Sequence, residues 1–183
     1  MAQMIPASMY RTQEGLGVWE HRGKVAAVGI GHAPTWRRWD NTPETSVGAL
    51  AIIAIRKAIE DAGITPDQVD GIVLAPDTTT GSYWPAGREV PADFLAMFKQ
   101  TDDLLDGIAK LSAEWVLANM PELTNIKYAM HATTCTSMAM AGAIQAVGDG
   151  LTHTCLVVKG WHNYLGRYYQ GGANAEPTVA GPG

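Results

Sequence analysis

The sequence predicts an α/β fold: a mixed, mostly parallel sheet with flanking helices. Three observations predict it. Four short apolar runs, Val25–Gly31, Gly71–Pro76, Ile126–Ala132 and His153–Lys159, have the length and composition of strands. Segments with apolar residues at helical spacing lie between most of them, the alternation of a parallel sheet with helical crossovers. The third run leads into Thr133-Thr134-Cys135-Thr136-Ser137-Met138-Ala139, and the stretch from Met138 to Val147 carries no charge and only Gln145 as a strong polar group. A helix apolar on nearly every face is a buried helix. The fold is therefore expected to be organised around a strand-to-helix corner at Cys135.

Taken in order, residues 1–23 show no periodicity and read as an N-terminal arm. The main unit is expected over residues 24–161. Val25 to Gly31 is a continuous apolar run, as in a strand buried on both faces. A loop with Trp36 and Trp39 follows. Thr42 is placed to cap a helix that Pro43 opens. Val47, Ala51, Ile55, Ala58, Ile59 and Ala62 share one face of it, and Gly63 suits the position just past its end. Thr65 to Gln68 starts a single further turn before the second strand, Gly71–Pro76.

Residues 77–110 read as an insertion of loop and helix, with a loop from Asp77 to Arg88 and a short helix over Ala92–Lys99. Leu104, Ile108, Leu111, Trp115 and Ala118 at helical spacing predict a longer helix that Pro121 stops. The strand Ile126–Ala132, the Cys135 helix, the break at Gly148-Asp149-Gly150 and the fourth strand complete the unit. Residues 162–183, rich in glycine and aromatic side chains, read as a tail or pocket loop.

Composition bounds the function. Apolar residues make up 46% and charged residues 17%, below the usual quarter, so much surface is expected to be buried against partners. The net charge of −5, with no Lys/Arg cluster beyond Arg37-Arg38, argues against nucleic acid as a partner. Two cysteines are too few for a disulfide framework, and no apolar run reaches the length of a membrane span. A soluble, cytoplasmic protein is the expectation. No metal site is expected, because His131 and Cys135 are too few ligands.

Chemistry is expected at Cys135. Unpaired N–H groups and the positive end of the dipole at a helix start favour an anion there. Thiols in such places are more readily ionised, and the same N–H groups can hold an oxyanion. The competing reading, a small buried hydrophobe, describes most cysteines outside disulfides. The polar neighbours Thr133, Thr134, Thr136 and Ser137 argue for the former. Cys155 lies mid-strand and reads as core. His131 reads as lining a core or a dimer seam, and His162 with Tyr164 as a loop that could border a pocket.

Three pieces resemble the N-terminal half of the thiolase superfamily, nearest to its sterol-carrier-protein-X, or lipid-transfer, branch. They are Val25-Ala26-Ala27-Val28-Gly29-Ile30-Gly31 with Pro34 in the following loop, the run from Ala58 to Val73, and Ala113-Glu114-Trp115 leading through a strand to Thr134-Cys135-Thr136-Ser137. The second is close to the family's "ALADAGL-x-P-x-DVDGIV", and the third to its strand–Cys–Ser/Thr–Ser/Thr–Gly nucleophile corner. Together they cover most of residues 24–161.

The resemblance implies a cysteine nucleophile at Cys135 that takes an acyl group from a coenzyme A thioester and passes it to coenzyme A or a carbanion. Coenzyme A thioester enters as substrate, and no covalently bound cofactor is implied. Met138 stands where the family has glycine. The family's second half, which supplies the activating histidine and a second cysteine, has no counterpart here. The resemblance thus implies partners: acyl-CoA, a complementing C-terminal half or thiolase-like dimer mate, and the small OB-fold, zinc-ribbon protein common in this branch. Two further readings stay open, a non-catalytic thiolase-like subunit that binds acyl-CoA or lipid or scaffolds a partner, and a ketosynthase-type condensing enzyme.

Overall fold

The computed structural model describes residues 19–35, 42–75, 89–132 and 135–160. The first 18 residues of the arm, the tryptophan loop at 36–41, the loop at 76–88, Thr133 and Thr134, and the tail from 161 lie outside the described residues. Seven elements follow in chain order: α1 (Val47–Asp61), β1 (Gly71–Ala75), α2 (Ala92–Met97), α3 (Ala113–Asn119), β2 (Tyr128–His131), α4 (Thr136–Gly148) and β3 (Cys155–Lys159), with 3-10 turns at Pro43–Thr45 and Pro66–Gln68.

The three strands form one sheet in the order β2-β1-β3, with both pairings parallel. Gly71 stands opposite Tyr128 on one side and Cys155 on the other. The central strand β1 is buried throughout, and its alternation divides the core. Ile72 and Leu74 join α1 and α3 in the larger cluster, with Ile52, Ile55, Ile59, Trp115 and Val116. Val73 and Ala75 face the other way, into a smaller cluster with Ala132 and with Ala139 and Ala143 of α4. The β2–α4–β3 connection passes over β1 because parallel strands need a crossover.

Local chemistry explains the boundaries. Ser46, not Thr42, caps α1: its hydroxyl oxygen accepts from the Ala49 N–H at 3.2 Å. Thr42 and Pro43 open a separate 3-10 turn instead. Gly63 follows α1 at φ +66°, as expected of a left-handed residue past a helix end. The helix expected through Leu104 and Ile108 is shorter, beginning only at Ala113. Buried Asp106 prevents it from starting earlier, because its carboxylate accepts from both the N–H and the hydroxyl of Ser112, a local bond that competes with helix. Ser112 in turn accepts from the Trp115 N–H (3.0 Å) and caps α3. Trp115 is fully buried, and a Cβ at either Gly48 or Gly107 would collide with its ring.

The expected first strand, Val25–Gly31, is not a strand. It runs extended along α1, with Val28 63% and Ile30 67% exposed. The reason lies in its glycines. A Cβ at Gly29 would sit 2.4 Å from the Ala58 carbonyl oxygen, and one at Gly31 would sit 2.0 Å from that of Ala54. Two glycines in alternation give the segment a bare face that packs directly on the helix, and Asp61 accepts from the Ile30 N–H at 2.9 Å.

The amino ends of β1 and β3 are joined by Asp70. Its buried carboxylate accepts from the Thr152 hydroxyl and from the N–H groups of His153 and Thr154, each of the latter at 2.8 Å, and the His153 ring Nδ1 lies 3.2 Å away. Its carbonyl accepts from the N–H groups of Lys127 and Tyr128, at the start of β2. Burial by itself would raise the carboxyl pKa. The bonds from Thr152, Thr154 and His153 outweigh it and hold the group well below the usual carboxylate range. Because the folded state holds this group ionised more strongly than the unfolded chain does, its contribution is present above the unfolded pKa of about 4 and is lost as pH falls toward the folded value. Asp70→Asn should cost about 2 kcal/mol at neutral pH. Urea melts should show that cost shrinking in acid below pH of about 4, where the native carboxylate loses its advantage; a cost that does not change with pH would mean the carboxylate's charge is not what holds the strands.

Candidate functional site

The ladder continues one residue past β2, where the Ala132 N–H donates to the Leu74 carbonyl at 2.8 Å. The chain then turns into α4 with Cys135 as its N-cap residue, in extended conformation. The Cys135 carbonyl accepts from the N–H groups of Met138 and Ala139, both at 3.1 Å, which fixes the first turn. The side chain is exposed, and its sulfur lies 2.9 Å from the Ser137 hydroxyl oxygen. A thiol here faces solvent beside a helix start whose first N–H groups have no carbonyl partner within the helix. Helix starts in general favour negative charge placed beside them.

The sheet orders what surrounds the corner. Since all three strands are parallel, β1 and β3 also end at the edge where Cys135 lies. Ligands in open parallel sheets gather at that edge. The chain after Ala75 and after Gly160 leaves from there, and His162 and Tyr164 belong to the second of these continuations, outside the described residues. Met138, where the sequence resemblance leads one to expect glycine, is 52% exposed. Gly142 instead faces the flexible end of Met130, whose methyl carbon would lie 2.2 Å from a Cβ there and would have to move aside.

Cys155 differs in each respect. It is half-buried against the smaller cluster, as a core reading requires. Burial first, and then the Asp70 carboxylate, push its thiol up to about 12. His131 is not a core residue. Its side chain is half exposed, and its Nε2 accepts from the Ala113 N–H at 3.0 Å, with Glu114 Oε2 3.8 Å away. No sequence signal marks this bond, which joins residues eighteen apart. A second unforeseen cluster lies near the other end of α4, where Glu20, His21 and Asp149 bring ligand-type atoms within 4.8 Å of one another. There Asp149 accepts from Gln145 (2.8 Å) and bonds His21 Nε2 (2.9 Å), which ties the described part of the arm to the helix.

Among the described residues no helix is long and apolar enough to cross a membrane. No protein-family model and no curated protein matches the chain. Among solved structures it is similar to the Ltp2–ChsH2(DUF35) aldolase, with 21% identity and a TM-score of 0.41 over 68% of this chain and 24% of that one. It is also similar to the priming β-ketosynthase of the R1128 polyketide biosynthetic pathway, with 17% identity and a TM-score of 0.43 over 73% of this chain and 40% of that one. The chain thus spans well under half the length of either. Neither likeness assigns a family or a reaction to it.

The two thiols should separate cleanly in reactivity. Iodoacetamide at neutral pH should label Cys135 in the native protein, while Cys155 should be labelled only after denaturation. Peptide mass mapping reads the order, and equal labelling of both thiols in the folded chain would contradict it.

Proposed function

We propose that this chain is a thiolase-type acyltransferase component that handles acyl-CoA thioesters through Cys135. The observation that carries the reading is the placement of Cys135, an exposed residue at the N-cap position of α4, at the carboxyl edge of a parallel sheet. In the first half-reaction the thiolate sulfur attacks the thioester carbonyl, and the carbonyl oxygen takes the negative charge beside the helix start. Collapse of this intermediate expels coenzyme A as its thiolate, leaving the acyl group on Cys135. In the second half-reaction of a Claisen condensation a carbanion attacks the new thioester, forms the carbon–carbon bond and expels the Cys135 thiolate. Thiolysis is the reverse: Cys135 attacks the 3-keto carbonyl of a 3-ketoacyl thioester, the carbon–carbon bond breaks to release a carbanion that takes up a proton, and coenzyme A then takes the acyl group and frees Cys135.

The base that activates the thiol is proposed to come from a complementing C-terminal half or a thiolase-like mate. His162 and Tyr164 are proposed to border the acyl pocket. The α4 surface supports the need for a partner. Ala139, Ala143 and Ala146 are buried against the sheet, but Met138, Met140 and Ile144 are exposed, with Leu151 exposed just beyond the helix. The sequence predicts a helix buried on nearly every face, and among the described residues only the alanine face is buried. Apolar patches of this kind mark surfaces that bind something. A small OB-fold, zinc-ribbon protein is proposed as a further partner.

Intact mass after incubation with a short acyl-CoA tests the chemistry. One acyl group should appear on the wild type, none on Cys135→Ala, and an unchanged amount on Cys155→Ala. Acylation of the Cys135→Ala chain would sink the assignment. A wild type that binds acyl-CoA without becoming acylated would favour the non-catalytic, lipid-binding or scaffold reading. Light scattering tests the assembly: the pure chain should self-associate or bind an apolar dye, and both should vanish when a complementing half is supplied.

A further inference from the structure

We infer that His131 is a positioning residue for the nucleophile corner, held as the neutral tautomer that carries its proton on Nδ1. The inference rests on the reading of Cys135 as nucleophile, but its tests do not. A backbone N–H can only donate, so the 3.0 Å contact from Ala113 to Nε2 requires a lone pair on that nitrogen. The proton of the neutral ring must then sit on Nδ1. The bond joins two elements that bear on the site. Ala113 is the first residue of α3, whose start is fixed by buried Asp106 through Ser112. His131 is the last residue of β2, four residues before Cys135.

Among the described residues β2 pairs with β1 alone, so without this bond nothing described holds its carboxyl end on the other side. The Leu74–Ala132 bond secures the β1 side, and the His131–Ala113 bond secures the other. Two fixed points on adjacent residues therefore set where α4 starts and where the Cys135 sulfur lies. The charged group facing the ring is Glu114, 3.8 Å from the same nitrogen.

Two measurements test this. In nitrogen-15 spectra of the wild type at neutral pH, His131 should show a pyrrole-like Nδ1 and a pyridine-like Nε2; the opposite tautomer would overturn the inference. The rate of Cys135 alkylation by iodoacetamide should fall about tenfold in His131→Ala, less than the roughly hundredfold that a 1 Å misplacement of a reacting group can cost. His131→Gln, whose amide oxygen can accept the same N–H, should restore the rate to within about twofold of wild type. A wild-type rate in a folded His131→Ala protein would defeat the proposal, as would failure of Gln to rescue while the fold is kept. If His131→Ala does not fold, the tautomer and the glutamine variant still decide. Acyl transfer is not needed for either readout, so a negative acylation result leaves this test intact.

Discussion

The carboxylate of Asp70 is the constraint on which the described fold depends. A parallel sheet has no hairpins to set its register, so something else must align the strands. Asp70 does this at the amino end of the sheet. Its side chain gathers the hydroxyl and two N–H groups of residues 152–154, which lead into β3, and its carbonyl receives two N–H groups from the start of β2. A neutral side chain offers fewer acceptor sites for so many donors. Gly71 follows for a related reason. A Cβ there would meet the Thr152 hydroxyl oxygen at 2.5 Å and the Cys155 sulfur at 3.1 Å, so any side chain would push the clamp apart.

This arrangement separates two tasks along the strands. At the amino end the buried Asp70 carboxylate is held by hydrogen bonds, and Cys155 sits beside it with its thiol pushed up by burial and by that carboxylate. The carboxyl end carries the exposed thiol and the chain continuations. Rigidity at one end lets the other present Cys135 at a helix start without the local burial that would otherwise hold it. A reactive group placed on a fixed sheet and helix is positioned more closely than one on a loop.

What was legible in the sequence was what local chemistry decides. The run from Ala58 to Val73 was recognisable because its helix end, its turn and its Asp-Gly strand start each depend on neighbouring residues. The corner at Cys135 was legible for the same reason, since a β-rich run meeting small residues has few other outcomes. The Val25–Gly31 segment was misread because an apolar run does not say whether a sheet or a helix will cover it. Its alternating glycines carried the answer, but only α1's Ala54 and Ala58 give that alternation meaning. The extra helical turns expected before Ala113 were lost to one buried carboxylate, as Ile108 and Leu111 keep their burial without helical backbone. The His131–Ala113 bond had no signal at all, because it exists only once β2 and α3 lie side by side.

The amphipathic balance of α4 carries the argument furthest. A surface helix normally sets polar side chains opposite its buried stripe. Here the buried stripe is small, made of Ala139, Ala143 and Ala146, and the larger apolar residues Met138, Met140 and Ile144 point away from it. Small residues let α4 lie close on the sheet, with Gly142 against the Met130 methyl. That closeness limits the apolar area the sheet side can bury, so the sheet alone explains only half of the helix's composition. The larger side chains are placed where contact with a second layer would bury them, and no water-facing role accounts for three of them within seven residues. Among the described residues, the helix that presents Cys135 is covered on its alanine face by the sheet, while its larger apolar side chains stay exposed.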